Sequence, residues 1–567
     1  MVIWLLAAAL PPVWLRRALP AVEDRMLISI GVASLSLWFA AWLIGYIAPL
    51  TIAPHLITLL CLAVFAAPVV YALSCLRRPL PAGDTRALVT IALPALLLMI
   101  AGYLVVTGFG ILWTGAGTIV EIQQNRYLAM PGDHIIPDFF ASGIRNADIP
   151  SPLMGDWYSA DRPPLQVGFL LLFAKVLEKG LKISTYNGDG YLGIACQALF
   201  IVATYRFVRT LTACRRAASV ACVAAFLVPA SGLYIFYPWP KLLSAAYLLI
   251  AAAITIDLLR RRTTPARVRS SSVVFGIATS LALLSHGGVI FAIIPLAVAF
   301  TVGIVRTTPS IRTALARIVA VLLAAAITYL PWWLYGKVTG EDHGRLLKWH
   351  LGGDTSISDA APLPTIIRAY ETAGWHQTLA SKVQNIEALI RQPGSPTKVG
   401  EVIALFQQTP AWRVAESQVL LYAISTVALW IVPLVILLLS RHSRSITRSV
   451  GPTLWVLAWI ASSLFVWCLL MFLPGSTVPH QGPIVVIFLP TILGAALVSL
   501  GSLRGALITL LVQFGVFIYV TVPPNSATWE SLPPIPVSQT ALAMILLGIA
   551  ASAGGIALSC RPAVRAN

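Results

Sequence analysis

Charge is what this 567-residue chain has least of: 11% of its residues are Asp, Glu, Lys or Arg, with 21 carboxylates against 39 basic side chains. A soluble domain carries roughly twice that fraction of charge, so a water-soluble enzyme is excluded. Cysteine is scarce as well. The thiols at 61, 75, 196, 214, 222, 468 and 560 sit in or beside apolar runs, and the long polar segments have none. That removes a disulfide framework and a cysteine-ligated metal site, and the thiols read as small buried hydrophobes. Internal repeats and heptads are also missing, and so is a carboxylate in the middle of an apolar run. Ion-coupled transporters usually carry ionisable groups near the bilayer centre, so this last absence counts against coupled transport.

What the chain has is hydrocarbon: 58% of residues are hydrophobic. Fourteen apolar runs read as transmembrane helices, at 26–50, 52–75, 88–113, 191–208, 216–234, 240–257, 272–286, 288–305, 313–334, 417–440, 452–472, 484–500, 505–522 and 538–558. A fifteenth, residues 2–15, is short and runs into Arg16-Arg17; with no small-residue cleavage site after it, it reads as a retained helix. The expected fold is all-α: a polytopic membrane protein of about 14–15 transmembrane helices, with two large outer loops containing juxtamembrane helices.

The net charge of +18 does not make a nucleic-acid surface. The basic residues fall at alternate helix boundaries: Arg16-Arg17, Arg77-Arg78, 206–216, 260–269, 306–317, 441–448, Arg504 and Arg561. This is the positive-inside pattern, which assigns those loops to the cytoplasm. Of the carboxylates, only Glu23, Asp24, Asp84 and Asp257 share that side. Of the other seventeen, all but Glu530 gather in outer loops at 114–190 and 335–416. These loops divide the chain into N-terminal helices (1–87), a core (88–334) that includes the first loop, the second loop (335–416) and a C-terminal module (417–567). Loops this long are usually functional.

The first loop holds Glu121, Asp133, Asp138, Asp148, Asp156 and Asp161 within 41 residues. Residues 164–182 then read as an amphipathic helix on the outer surface, with a double proline at its start and Lys175, Glu178, Lys179 and Lys182 on its polar side. The second loop carries Glu341, Asp342, His343, Arg345, Lys348 and His350, then a Gly/Pro/Ser-rich stretch at 392–397.

Three motifs follow in order: Gly132-Asp133-His134, then Asp138 to Gly143 (DFFASG), then Arg162-Pro163-Pro164-Leu165-Gln166. A long outer loop with an early Asp, an F-A-x-G-like helix and a K/R-P-P-L helix resembles the C-type (GT-C) glycosyltransferase superfamily. Bacterial aminoarabinose transferases and protein O-mannosyltransferases are the nearest look-alikes. The match covers about 100 residues, from the run at 88–113 to that at 191–208; elsewhere only hydropathy agrees. One departure is His134, where those families place a second acidic residue. A register that sets Gln123 to Tyr127 against their D-E-x-R-Y form leaves no Asp in place, so the Asp133 register is preferred.

The resemblance implies transfer of a sugar from a polyprenyl-phosphate donor to an acceptor hydroxyl, by a single inverting displacement. Asp133 is the implied general base, with Glu121 as the fallback. His134, Asp138 and Asp161 are placed near the acceptor. Lys241, His480, His286, Arg126 and Arg162 are candidates for the donor phosphate. Each residue also has a plainer reading. Asp133 or Asp138 would cap the helix beginning near Pro137, Asp161 would pair with its neighbour Arg162, Lys241 in Tyr237-Pro238-Trp239-Pro240-Lys241 would be an interfacial anchor, and His286-Gly287-Gly288 would be a tight turn.

No cofactor is required; a divalent metal is optional and no His/Asp cluster calls for one. The implied partners are a polyprenyl-phosphate-linked sugar, a cell-envelope glycan or glycolipid acceptor, and the bilayer. The implied location is a bacterial inner membrane, with the site facing the periplasm or exterior. The competing readings are a lipid-linked oligosaccharide flippase and an O-antigen polymerase or ligase.

Overall fold

The computed structural model describes residues 1–10, 16, 18–77, 81–112, 118–126, 132–182, 184–260, 265–358, 360–389, 444–472, 484–521 and 538–560. The run at 417–440, the stretch at 392–397 and His480 lie outside the described residues.

The helices in chain order are α1 (Val2–Ala8), α2 (Val22–Ile47), α3 (Ala53–Leu76), α4 (Ala82–Ile111), α5 (Ile119–Arg126), α6 (Ile136–Asn146), α7 (Leu165–Leu181), α8 (Thr185–Thr212), α9 (Arg215–Phe226) and α10 (Pro229–Phe236). They continue with α11 (Lys241–Leu259), α12 (Pro265–Leu283), α13 (Ile290–Thr307), α14 (Ile311–Thr339), α15 (Arg345–Gly352), α16 (Pro362–Ala388), α17 (Arg444–Leu470), α18 (Ile484–Gly501), α19 (Leu503–Thr521) and α20 (Gln539–Cys560). The protein is thus an all-helical, polytopic membrane protein.

Among the described residues, nine helices are long and apolar enough to cross a membrane, or ten if α9 and α10 form one bent span. Those two meet at 72°. The bend has a local cause: Val228 precedes Pro229, which drives it out of the helical region to φ −66°, ψ 123°. The runs expected at 272–286, 484–500 and 505–522 are shorter apolar helices, Val268–Leu283, Phe488–Gly501 and Leu503–Ile518.

The fifteenth run is described over residues 2–10. Over the residues described it forms α1, only seven residues long and so about 10 Å. Trp4 is buried, with its ring edge-on to Phe173 at 6.4 Å. The helix is a plug against α2 and α3, too short to be a span.

The amphipathic segment also changes place. α7 forms where expected, but its first ten residues, Leu165 to Ala174, are buried between α2, α3 and α8; only its last turns reach the surface. A Cβ added at Gly168 would collide with the carbonyl oxygen of Ser34. Glycine there lets α7 press against the α2 backbone, which a surface helix would not need.

The pairing of α4 with α20 follows the rule for helices in lipid, where small residues allow close backbone approach. A Cβ at Gly548 would lie 3.0 Å from the Ala101 carbonyl oxygen, and one at Gly108 would lie 2.8 Å from that of Ala541.

Polar groups gather at the two ends of the bundle. At one end Arg206 pairs with Asp24 at 3.0 Å and Asp257 at 2.9 Å, and Arg209 pairs with Glu23 at 2.9 Å. Lys241 opens α11 and Asp257 nearly closes it. At 1.5 Å per residue they stand about 24 Å apart. The polar groups around Lys241 therefore belong to the opposite end.

Candidate active site

The site is built where four segments converge at the Lys241 end. The Gln123 amide donates to the Phe236 carbonyl at 2.7 Å, tying α5 to the end of α10. Gln166, in the first turn of α7, donates to the Pro238 carbonyl at 2.9 Å. Its own oxygen accepts from Gln197, whose oxygen takes the N–H groups of Leu242 and Leu243 at 3.1 and 3.0 Å. That is an N-cap supplied from another helix, and it orients the start of α11. The Leu165 N–H donates to the Leu284 carbonyl at 3.0 Å, which brings the His286 turn to the same place.

Asp133 sits in a single 3₁₀ turn, Gly132–Ile135, immediately before α6, and is 6% exposed. One carboxylate oxygen is bound by Arg162. The other, Oδ1, is buried with no hydrogen-bond partner among the described residues. Arg162 is held from its far side by the Trp157 ring, 4.2 Å from the guanidinium carbon. His134 is buried and packs on Tyr237, with ring centroids 3.9 Å apart.

Lys241 is 1% exposed, and its Nζ lies over the rings of Trp239 at 3.6 Å and Tyr234 at 4.9 Å. His286 approaches Trp239 edge-on at 6.4 Å. Burial holds the His286 imidazole well below its usual pKa, and repulsion from Lys241, Arg162 and His350 adds to this. His350, on α15, is lowered to about 4 by burial and then by Arg162 and Lys241. The hydrogen bonds of Leu165 and Gln166 to Leu284 and Pro238 bring the segments that carry Arg162, Lys241 and His286 together, and Lys241 and His286 both lie against the Trp239 ring. Burial and these neighbouring charges favour the uncharged form of both imidazoles, while Arg162 binds Asp133. An anion placed among them would relieve the repulsion and raise both imidazole pKa values.

Two plainer readings need correction. No side chain caps α6, so neither Asp133 nor Asp138 is spent on its N-terminus. Nor does Asp161 pair with Arg162: it accepts from Arg345 at 3.1 Å and from the Tyr158 N–H at 2.9 Å, leaving Arg162 to Asp133. Asp161 is raised above the usual carboxylate range by burial, against the pull of Tyr158 and Arg345.

Asp138 feels the charges of Arg145 and Asp189, which pair with each other at 2.6 Å. Burial and then Asp189 push its carboxyl well above the ordinary range, with Arg145 opposing. Glu121 is exposed and forms a capping box: its carboxylate accepts from the Thr118 N–H at 2.7 Å, and Thr118 Oγ1 accepts from the Glu121 N–H at 3.3 Å. Of Arg126 only the backbone is described, as the last residue of α5.

The sequence did not single out His350 as a site residue, nor the group Ser159, Tyr335 and Glu341. Glu341 accepts from the Ser159 hydroxyl and, at 2.8 Å, from the Ala160 N–H, while the Ser159 and Tyr335 hydroxyls lie 2.5 Å apart. This group locks the 158–161 turn to α14. Ser159 and Tyr335 are 176 residues apart in the chain, and no spacing rule spans that gap. The one available signal was the density of ionisable residues at 341–350. Among the described residues no three His, Cys, Asp or Glu side chains are grouped to hold a metal ion.

No family model matches this chain, and no curated protein matches it. Among solved structures it is similar to ArnT from Cupriavidus metallidurans, a crystal structure bound to undecaprenyl phosphate. The identity is 14%, the alignment covers 80% of this chain and 84% of that one, and the TM-score is 0.34.

Proposed function

We propose that this protein is an integral-membrane glycosyltransferase. It moves a sugar from a polyprenyl-phosphate donor to a hydroxyl of a cell-envelope glycan or glycolipid, at the outer face of a bacterial inner membrane. One observation carries the reading: a buried carboxylate with an unpartnered oxygen, Asp133, is bound by Arg162, and the segment that follows Arg162 is hydrogen-bonded to those that carry Lys241 and His286.

Each part has a task in an inverting displacement. The acceptor oxygen bonds to the anomeric carbon as that carbon's bond to the phosphate oxygen breaks. The bonding pair stays on the phosphate. The acceptor proton passes to Asp133 Oδ1, which later returns it to water. Arg162 holds the other Asp133 oxygen, so it fixes the carboxylate in place. The departing phosphate gains negative charge, which in this reading Lys241, Arg162 and the imidazole N–H groups of His286 and His350 stabilise. Because it leaves as a stable anion, no dedicated general acid is needed. A neutral imidazole suits this role, since it can donate a hydrogen bond without adding a third and fourth buried cation.

Outward orientation rests on the distribution of charge. The end that holds Arg206 and Arg209 carries the chain's basic loops, and the Lys241 end carries its acidic ones. Mass spectrometry of envelope glycans from cells with and without the gene tests the function. A sugar-bearing species should disappear with the gene, together with accumulation of its polyprenyl-phosphate donor. Identical glycan and lipid profiles would refute the reading.

A further inference from the structure

A groove of about 450 Å³ opens between α15 and α16. Its walls include Asp354, Arg368, Thr365, Thr372, Gln377 and the ring of Phe472. The two charges cancel, leaving hydroxyls, an amide and one aromatic face. A phosphate would meet the Asp354 carboxylate, and an apolar chain would strand five polar side chains without partners. A neutral, polyhydroxylated ligand satisfies both kinds of wall: its hydroxyls meet the polar groups and its C–H face lies on the ring. The volume is within the range of small-molecule sites.

The groove is built independently of any occupant. The last carbonyls of α17 are capped by α16 side chains. Lys382 donates to the Met471 carbonyl at 2.5 Å, and Asn385 donates to those of Cys468 and Met471 at 3.0 and 2.8 Å. Ser381 donates to the Phe472 carbonyl, and Tyr370 packs edge-on against the Phe472 ring at 4.9 Å. The Phe472 N–H donates to the His350 carbonyl at 3.0 Å. One residue of α15 therefore anchors the groove wall through its backbone while its imidazole belongs to the cation cluster. α16 also exposes Trp375, Leu379, Val383 and Ile386, a stripe at helical spacing that suits a helix lying in the membrane interface.

We propose that this groove is a saccharide-binding subsite that holds the acceptor by sugar units beyond the one being glycosylated. It rests on the glycosyltransferase reading for the word acceptor, but not for the binding of sugar. The test uses the full-length protein in nanodiscs with two probes. One is the envelope glycolipid fraction of the producing cells, and the other is the water-soluble saccharide released from it by deacylation.

Saturation-transfer NMR should show saccharide binding to the wild type. Binding should weaken about 5- to 30-fold in Thr372→Ala/Gln377→Ala, the effect expected of two lost hydrogen bonds, and again in Phe472→Ala. Undecaprenyl-phosphate binding, read in parallel, should stay unchanged in both variants. Binding of the soluble saccharide alone marks a free glycan as the occupant, and binding of the intact glycolipid only marks an anchored one; both support the subsite. No binding of either probe, or equal binding by wild type and both variants, overturns it. If saccharide binding follows the groove while the wild type transfers no sugar from an undecaprenyl-phosphate donor, the glycosyltransferase reading falls and the subsite stands.

Discussion

Asp133→Asn is the substitution that separates chemistry from architecture most cleanly at this site. The amide has the shape of the carboxylate and can still accept from Arg162 through its oxygen, but it cannot take a proton from an acceptor hydroxyl at neutral pH. If Asp133 is the base, kcat should fall by roughly 10²- to 10⁴-fold, about 3 to 5.5 kcal/mol of barrier, with donor binding retained. The structure also warns of a competing effect. The Arg162 and Asp133 side chains are 8% and 6% exposed, and removing one partner of a buried pair costs roughly 3–5 kcal/mol of stability. A loss of activity could then be a loss of fold.

The double variant Asp133→Asn/Arg162→Gln removes both charges and separates the two. It should recover most of any thermal destabilisation while leaving turnover at the single variant's level or below. The assay is transfer by purified protein in nanodiscs, read as the product species that depends on the gene, beside a thermal melt of each variant. A folded Asp133→Asn protein with near-normal kcat would refute the assignment and leave Glu121→Gln as the next variant to measure. A double variant that regains turnover along with stability would show that the carboxylate acts only through the fold.

Lys241→Ala should raise the apparent KM for donor more than that for acceptor. One charged hydrogen bond to phosphate is worth about 1.5–3 kcal/mol, or about 10- to 150-fold, and unchanged donor kinetics would remove Lys241 from the site. Asp138→Asn should change melting temperature and kcat little, because burial and Asp189 both favour the uncharged carboxyl there; a large loss in either would mean that Asp138 acts as an anion. His350 titrates near 4 when folded and near 6.5 when unfolded. The unfolded chain therefore binds the extra proton first, and stability should fall as pH drops from about 6.5 toward 4. His350→Gln should flatten that slope in thermal melts, and an identical slope in the variant would count against it. For orientation, exposed Asn146 and Ser356, each changed to Cys, should react with an impermeant thiol reagent in intact spheroplasts, whereas Ser502→Cys should not. Opposite labelling of Asn146→Cys and Ser356→Cys would break the assignment of both loops to one face.

Some features of this protein are written in its order of residues. Hydropathy alone determines the helical, membrane-embedded class, because a 20-residue apolar run must satisfy its backbone internally wherever it lies in lipid. Charge alternation separates the Arg206 end from the Asp133 end in the same way, since it depends only on which loops carry which sign. The early-loop Asp and the Arg162-Pro163-Pro164 motif are equally local and marked Asp133 and Arg162 before any contact was known, as the stretch Tyr237 to Lys241 marked Lys241 and the turn at Gly287-Gly288 marked His286. Tertiary structure decided how those residues are used. Arg162 binds Asp133 in place of its neighbour Asp161, Arg345 arrives from 184 residues away to take Asp161, and Phe472 reaches His350 across a gap in which residues 390–443 are not described. It also buried the start of α7, which by composition read as a surface helix, by setting Gly168 against the α2 backbone. Periodicity records which face of a helix is apolar. Which other segment covers that face, and which of two carboxylates a buried guanidinium selects, depend on contacts between parts of the chain whose separation leaves no local trace.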